Sequence, residues 1–498
     1  TCTLGTGTIH VANRVSYSDT SLSAASSSQL QQDLTSARGS PATRSSPAVS
    51  ANTACRAATT CAQTVEEYLA RIESCRQLNA FVEVFAEEAR TRARVLDQQR
   101  RSGQPTSRLH GVILGIKDVI CYKDHRVSAA SRILSGFTSI YSATAVQRLI
   151  DEGAIIIGNL NCDEFAMGST SENSVYGRVR NAHDESRVPG GSSGGSAVAI
   201  QAGPCMVTLG TDTGGSIRIP ASFCGCVGLK PTYGRVSKHG VLPLGFSLDH
   251  IGPLAASVDD AAMAMNAIAG HDVNDPTSSR RPVREFRASG SPSLSGVRIG
   301  RPDRFFFDRL APAVAAGVTK AFAAAESAGA KVVDVRTPDI DEINSVARVV
   351  LLAEAPAALG AHLDRRDKFG ADVIALLDQG RLLPAVSYVQ AQRLRLKLVF
   401  DFARVWRDAE ALFVPSTPTT APKIGQTRID IGGVEEDVRL ATTRLVRGVN
   451  LLGLPALSIP CGADPVGLPV SLQIIGPPFS EPELIGIGAA MESALAKV

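Results

Sequence analysis

Between Pro189 and Arg218 the chain runs PGGSSGGSAVAIQAGPCMVTLGTDTGGSIR. Two glycine-flanked serine sites, GGSSGGS at 190–196 and DTGGSIR at 212–218, stand on either side of an apolar segment able to cross a core. Glycine at this density serves backbone that takes positive φ or lies close to a ligand, and it bares N–H groups that can hold a developing anion. The stretch is therefore expected to form the floor of an active site.

The surrounding pattern alternates strand and helix. Residues 112–120 (VILGIKDVI) form a strand-like apolar run, 144–153 a helix, 154–158 (AIIIG) a buried strand, 196–202 a helix and 206–209 a strand. That order predicts an α/β core with a partly parallel sheet. Upstream, Val65, Leu69 and Ile72 share one helical face, and 83–101 reads as a charged surface helix. The polar, Pro/Ser-rich segment 271–295 is expected as a long surface loop, because the alternation resumes after it. Strands are then expected at 297–300, 331–335, 411–414, 456–460 and 469–475, with helices at 311–328, 340–363, 382–408, 437–452 and from 481.

Composition narrows the classes. A formal charge of +3 on 498 residues implies no nucleic-acid partner. No uninterrupted apolar run reaches the ~18 residues of a membrane span. The basic helix at 382–408, with Leu394, Leu398 and Phe402 on one face, is expected as a solvated outer helix rather than a membrane-surface one. Ten cysteines lie scattered without the spacing of a disulfide framework, and Cys224 and Cys226 lack the second pair that a metal site needs, so buried thiols are expected. Residues 1–62 form a Ser/Thr/Ala-rich arm, acid-poor and dotted with arginine, read as loosely ordered or as the remnant of an organelle transit sequence. The order of the chain is expected to begin near Thr64, and residues 63–498 to form one domain.

A serine nucleophile needs a base and a donor pocket for the tetrahedral oxyanion. The Thr213-Gly214-Gly215-Ser216 turn offers the pocket. Two kinds of base are open. Of the histidines, His183 and His250 lie nearest in sequence to the serines, but neither sits in a partner motif. Lys117 lies inside an apolar run, where desolvation can strip its proton, although a plain ion pair with Asp118 is the simpler account. Ser192 and Ser193 each also fit G-x-S-x-G, yet the preceding HDESRVPGG is polar where a nucleophile elbow needs a strand. No phosphate-binding glycine motif is present in the sequence.

With Gly115-Ile116-Lys117-Asp118, the GGSSGGS and DTGGSIR sites in this order, GLKPTYGR at 228–235 and DHIGP at 249–253, the chain resembles the amidase signature family over about residues 63–498. The resemblance implies one large mixed sheet wrapped by helices and a Ser–cisSer–Lys triad. Carried onto this sequence, Ser216 is the nucleophile, Ser192 the bridging serine in a cis peptide and Lys117 the neutral base. The backbone N–H groups of Thr213, Gly214, Gly215 and Ser216 would form the oxyanion hole. Ser193, Ser196, Asp212 and Arg218 would support the loop and the lysine. Met167 and Thr170 are expected in the acyl pocket.

No metal or cofactor is implied. The expected substrate is a small aryl or aliphatic amide, or a carbamate. The EFAMGSTSEN run at 164–173 resembles the glutaminase component of the glutamyl-tRNA(Gln) amidotransferase. Residues 350–400 resemble stand-alone amidases, and no Tyr-Asp-Gly run of the amidotransferase kind is found. A stand-alone amidase, cytoplasmic and able to form a homodimer, is therefore favoured. The alternative is the amidotransferase component, the one reading that would require partner subunits; a non-catalytic scaffold of the same fold is the third reading.

Overall fold

The apolar run around Lys117 becomes strand β2 (Ile113–Lys117), every residue of it buried. It lies between two parallel neighbours, β3 (Ile155–Leu160) and β4 (Val207–Asp212). A continuous β-branched and leucine run suits a strand covered on both faces. Leu114, Ile116, Ile155, Ile157 and Leu209 are all fully buried, and each such side chain contributes about 1.5–3 kcal/mol of burial. The computed structural model describes residues 59–288 and 293–497. The expectations for the arm before residue 59 lie outside the described residues.

Among the described residues the elements build one eleven-stranded mixed sheet. Its remaining strands are β1 (Phe81–Val84), β5 (Val227–Lys230), β6 (His250–Ala255), β7 (Arg298–Pro302), β8 (Lys331–Val335), β9 (Ala411–Pro415), β12 (Ala456–Ala463) and β13 (Pro469–Ile475). The order across the sheet is β1-β3-β2-β4-β6-β5-β12-β13-β9-β7-β8. Parallel triplets at β3-β2-β4 and β8-β7-β9 flank an antiparallel centre. β10 (Arg428–Ile431) and β11 (Val434–Asp437) form a separate hairpin. Helices Gly194–Gln201, Arg218–Cys224, Val258–Ile268, Pro312–Ser327 and Glu481–Leu495 pack on this sheet. All described elements belong to the compact unit 45–498.

Several boundaries depart from expectation for local reasons. The charged helix begins at Ala86, because Phe81–Val84 is drawn out as β1 against β3. The helix Cys61–Ser74 starts three residues before Thr64, where Thr60 and Gln63 form a capping box. Between Ile340–Leu359 and Ala385–Phe402 stands a separate helix, Ala371–Arg381, opened after Gly370. The helix expected over 437–452 is two short ones, Val438–Thr443 and Arg447–Leu451. The break releases the Val446 carbonyl, which accepts from Arg218 at 3.0 Å. The segment 340–368 reaches a mean hydropathy of 1.4 in its most apolar window, enough by length and composition for a membrane span although Arg348 and Glu354 interrupt its apolar run. Here it packs against the helices Ala371–Arg381, Ala385–Phe402 and Arg447–Leu451. The described part of 271–295 carries no helix or strand, and Asp272 ties it down by accepting from Thr144 and Ser237.

Candidate active site

The parallel pairing of β2 and β4 brings their carboxyl ends together, so Lys117 and Asp212 finish adjacent strands. Crevices outside the carboxyl ends of parallel strands are where α/β sheets bind ligands. Lys117 is fully buried, and its Nζ lies 2.7 Å from Ser192 Oγ, 3.0 Å from Ser193 Oγ and 2.9 Å from Thr211 Oγ1. No carboxylate among the described residues comes within ion-pair distance of it. Asp118, the simpler partner, turns away and accepts from Ser128 and the Ala130 N–H. Burial pulls the Lys117 pKa down to about 8 against the opposing pull of Asp163, Asp212 and Asp249.

The two loops meet over this lysine. The peptide bond between Gly191 and Ser192 is cis, and the Ser193 N–H donates to the Ser216 carbonyl at 3.2 Å. Gly191 has no room for a side chain: a Cβ there would lie 2.1 Å from Asp163 Oδ2 and 2.7 Å from the Thr170 nitrogen. Ser193 Oγ donates to the Thr211 carbonyl at 3.1 Å, so toward Lys117 it can only accept. Ser192 Oγ has no such acceptor among the described residues, which leaves its proton free for Nζ once the lysine is neutral.

Asp212 and Arg218 fix the second loop from below. The fully buried pair meets through two hydrogen bonds of 3.0 Å, and Arg218 donates further to Gln473, Asn450 and the Val446 carbonyl. Burial alone would raise the Asp212 carboxyl. The Arg218 charge and hydrogen bonds, with Lys230 and Asn450, outweigh it and hold the group well below the usual carboxylate range. Asp212 also accepts from the Gly215 N–H at 2.8 Å and the Ile217 N–H at 3.1 Å. This corrects one expectation. Gly215 is committed to Asp212, because the loop folds back over that carboxylate, so its N–H is not an oxyanion donor; those of Thr213, Gly214 and Ser216 donate to no other group among the described residues.

Ser216 opens into a cavity of about 290 Å³, whose wall includes Met167, Gly214, Leu351, Arg348 and Arg447. Met167 forms part of that wall. Thr170 does not line it, because the 169–171 turn carries it inward beneath Gly191. Ser196 touches neither lysine nor loop: its Oγ donates to the Leu209 carbonyl and pins the Gly194–Gln201 helix to β4. His250 Nδ1 faces the Leu248 and Asp212 carbonyls, and His183 Nε2 the Cys224 carbonyl, so neither reaches a serine. No strand precedes Ser192, as a nucleophile elbow would require. The described cysteines are free thiols, and burial raises Cys224 and Cys226.

Sequence reasoning missed Thr211, Asn450 and the cavity arginines Arg348, Arg439 and Arg447. Thr211 adjoins the DTGGSIR motif, and its alternation along β4 carried a signal. Arg348, alone in the apolar SVARVVLL run, carried another.

The family described as Amidase matches residues 63–485. A curated relative, the A-type component of the glutamyl-tRNA(Gln) amidotransferase of Chloroflexus aggregans, is 42% identical over 86% of this chain and 92% of its own. Among solved structures, a chain from a vestigial protein complex described as revealing the evolutionary origins of an s-triazine catabolic enzyme superposes with a TM-score of 0.84. It is 35% identical over 87% of this chain and 95% of that one. The corresponding A-type component of the Thermotoga maritima glutamyl-tRNA(Gln) amidotransferase superposes with a TM-score of 0.73, at 32% identity over 87% and 91%. A match along most of the chain, on a sheet that brings the two glycine-serine loops over one buried lysine, makes this protein a member of the amidase signature family, enzymes of amide C–N bonds.

Proposed function

We propose that this chain cleaves the carboxamide of a small substrate through an acyl-enzyme on Ser216, as the glutamine-hydrolysing component of a glutamyl-tRNA(Gln) amidotransferase. The observation that carries the chemistry is Lys117, buried without a counter-ion among the described residues and ringed by three hydroxyls beneath the Ser216 loop. Neutral Lys117 takes the Ser192 proton as Ser192 takes that of Ser216, and Ser216 Oγ bonds to the carbonyl carbon. The oxyanion is held by backbone N–H groups among Thr213, Gly214 and Ser216. Collapse breaks the C–N bond, and the proton on Lys117 returns through Ser192 to the departing nitrogen. Water then repeats the sequence on the ester and frees the acid. Carbamates are open to the same steps.

The amidotransferase assignment rests on the 42% identity to the Chloroflexus aggregans relative, and it displaces the stand-alone amidase that the C-terminal sequence favoured. The stand-alone reading is kept as second, because the fold superposes on a solved structure described only as an amidase with a TM-score of 0.79, at 34% identity, against 0.73 for the Thermotoga maritima amidotransferase component. The test is hydrolysis of glutamine, an aryl amide, an aliphatic amide and an aryl carbamate by the purified chain and by Ser216→Ala, alone and with copurified proteins. Glutaminase activity that depends on copurified subunits supports the first reading. Turnover of a simple amide by the chain alone supports the second. Activity that survives in Ser216→Ala refutes both.

A further inference from the structure

The cavity beside Ser216 is lined largely by apolar side chains, among them Met167, Leu244, Leu351 and Leu376. Into this lining come the two guanidinium-bearing residues Arg348, from helix Ile340–Leu359, and Arg447, from the start of helix Arg447–Leu451. Neither has a carboxylate within ion-pair distance among the described residues. Arg439, which also reaches this cavity, is by contrast neutralised by Asp372 at 2.7 Å. The acceptor that Arg447 finds is the uncharged hydroxyl of Thr443. Its stem lies against the nucleophile loop: a Cβ at Gly214 would sit 3.8 Å from Arg447 Cγ.

We propose that Arg447 and Arg348 form an anion subsite that holds a carboxylate on the acyl part of the amide substrate, within reach of the carbon that Ser216 attacks. Two like charges on one wall of a largely apolar cavity repel each other, both side chains are partly buried, and neither meets a counter-ion among the described residues, so an anion entering between them is favoured. Burial and the nearby Arg348 charge pull Arg447 down to about 10, which leaves it protonated at neutral pH and in want of an anion. A guanidinium takes a carboxylate through two parallel N–H donors, which fixes orientation as well as charge. With about 290 Å³ of space, at the lower end of the ~300–1,000 Å³ usual for ligand pockets, the site suits a short amide acid rather than a long acyl chain. Glutamine belongs to that class, as do the monoamides of short dicarboxylic acids.

The inference rests on Ser216 as the nucleophile, and its test separates the two. Binding is measured calorimetrically on the full chain carrying Ser216→Ala, where no chemistry can intervene, with succinamate and the uncharged butyramide as probes. The subsite requires succinamate to bind at least tenfold more tightly, with an advantage that shrinks as salt rises. Arg447→Met or Arg348→Met should each remove tenfold or more of it, while Arg447→Lys retains part as a point charge. Circular dichroism and melting confirm that each variant is folded, and either arginine alone suffices should the other variant fail. Equal binding of the two amides, binding of neither by folded protein, or an advantage that survives both Arg→Met changes overturns the subsite. The nucleophile is judged separately, by acyl transfer from any hydrolysable amide to hydroxylamine and its loss in Ser216→Ala.

Discussion

If Lys117 acts as a neutral base, the rate must follow its deprotonation. With the pKa at about 8, kcat/KM is half-maximal there. The neutral fraction is about 9% at pH 7 and about 90% at pH 9, so activity rises about tenfold between them and then levels. A lysine at the ordinary ~10.4 would instead give a rise of about a hundredfold over that interval, with no plateau before pH 10. The site supplies a perturbation of known sign. Thr211→Val removes one of the three hydroxyls that accept from the ammonium, at 2.9 Å, and so disfavours the charged form. A hydrogen bond to a charged group contributes about 1.5–3 kcal/mol and one pKa unit corresponds to about 1.4 kcal/mol. The midpoint should therefore fall by about one to two units, and the variant should be relatively more active at pH 6–7 than at pH 9. Initial rates from pH 6 to 10 at constant ionic strength, on whichever amide is turned over, provide the assay. A wild-type profile flat across that range, or a midpoint that moves upward in Thr211→Val, would refute the base assignment.

Three further outcomes are expected. Ser192→Ala should cost about 10³-fold or more in kcat and Ser193→Ala far less, since only the Ser192 proton is free to move; equal losses in single-turnover rates would contradict that division. Asp212→Asn strips the carboxylate from buried Arg218 and should cost about 3–5 kcal/mol in urea unfolding. Because the Asp212 pKa is depressed on folding, its contribution is full above about pH 4 and is lost as acid titrates the folded group; a stability flat from pH 5 to 2 would be inconsistent with this. Gly215→Ala should destabilise by about 2 kcal/mol or more, since φ is +124° and a Cβ would lie 2.4 Å from Val446 Cγ2, whereas Gly214→Ala meets only an ordinary contact at 3.8 Å and should cost under about 1 kcal/mol. Melting curves of the two variants side by side check the contrast.

The sequence by itself determined the chemistry that is local. Glycines packed around Ser192 and Ser216 announce backbone that tolerates no side chain, and the apolar run around Lys117 allows a desolvated amine beside the ion pair with Asp118, because both follow from a few adjacent residues. The strand–helix alternation likewise announced a mixed α/β sheet, with errors where tertiary pairing overrode local preference, as when Phe81–Val84 was drawn into β1 rather than the helix that follows. Tertiary structure alone decided which groups share the site. Lys117 reaches Thr211 across 94 residues of chain because β2 and β4 are neighbours in the sheet, and Arg218 reaches Gln473 across 255 because helix Arg218–Cys224 packs against β13. The loss of the Gly215 N–H to Asp212, the inward turn of Thr170 and the convergence of Arg348 with Arg447 depend on how loops pack once the sheet exists. Propensity and pattern act over a turn or a strand. The distances that make a catalytic site are set by contacts between segments that no local pattern joins.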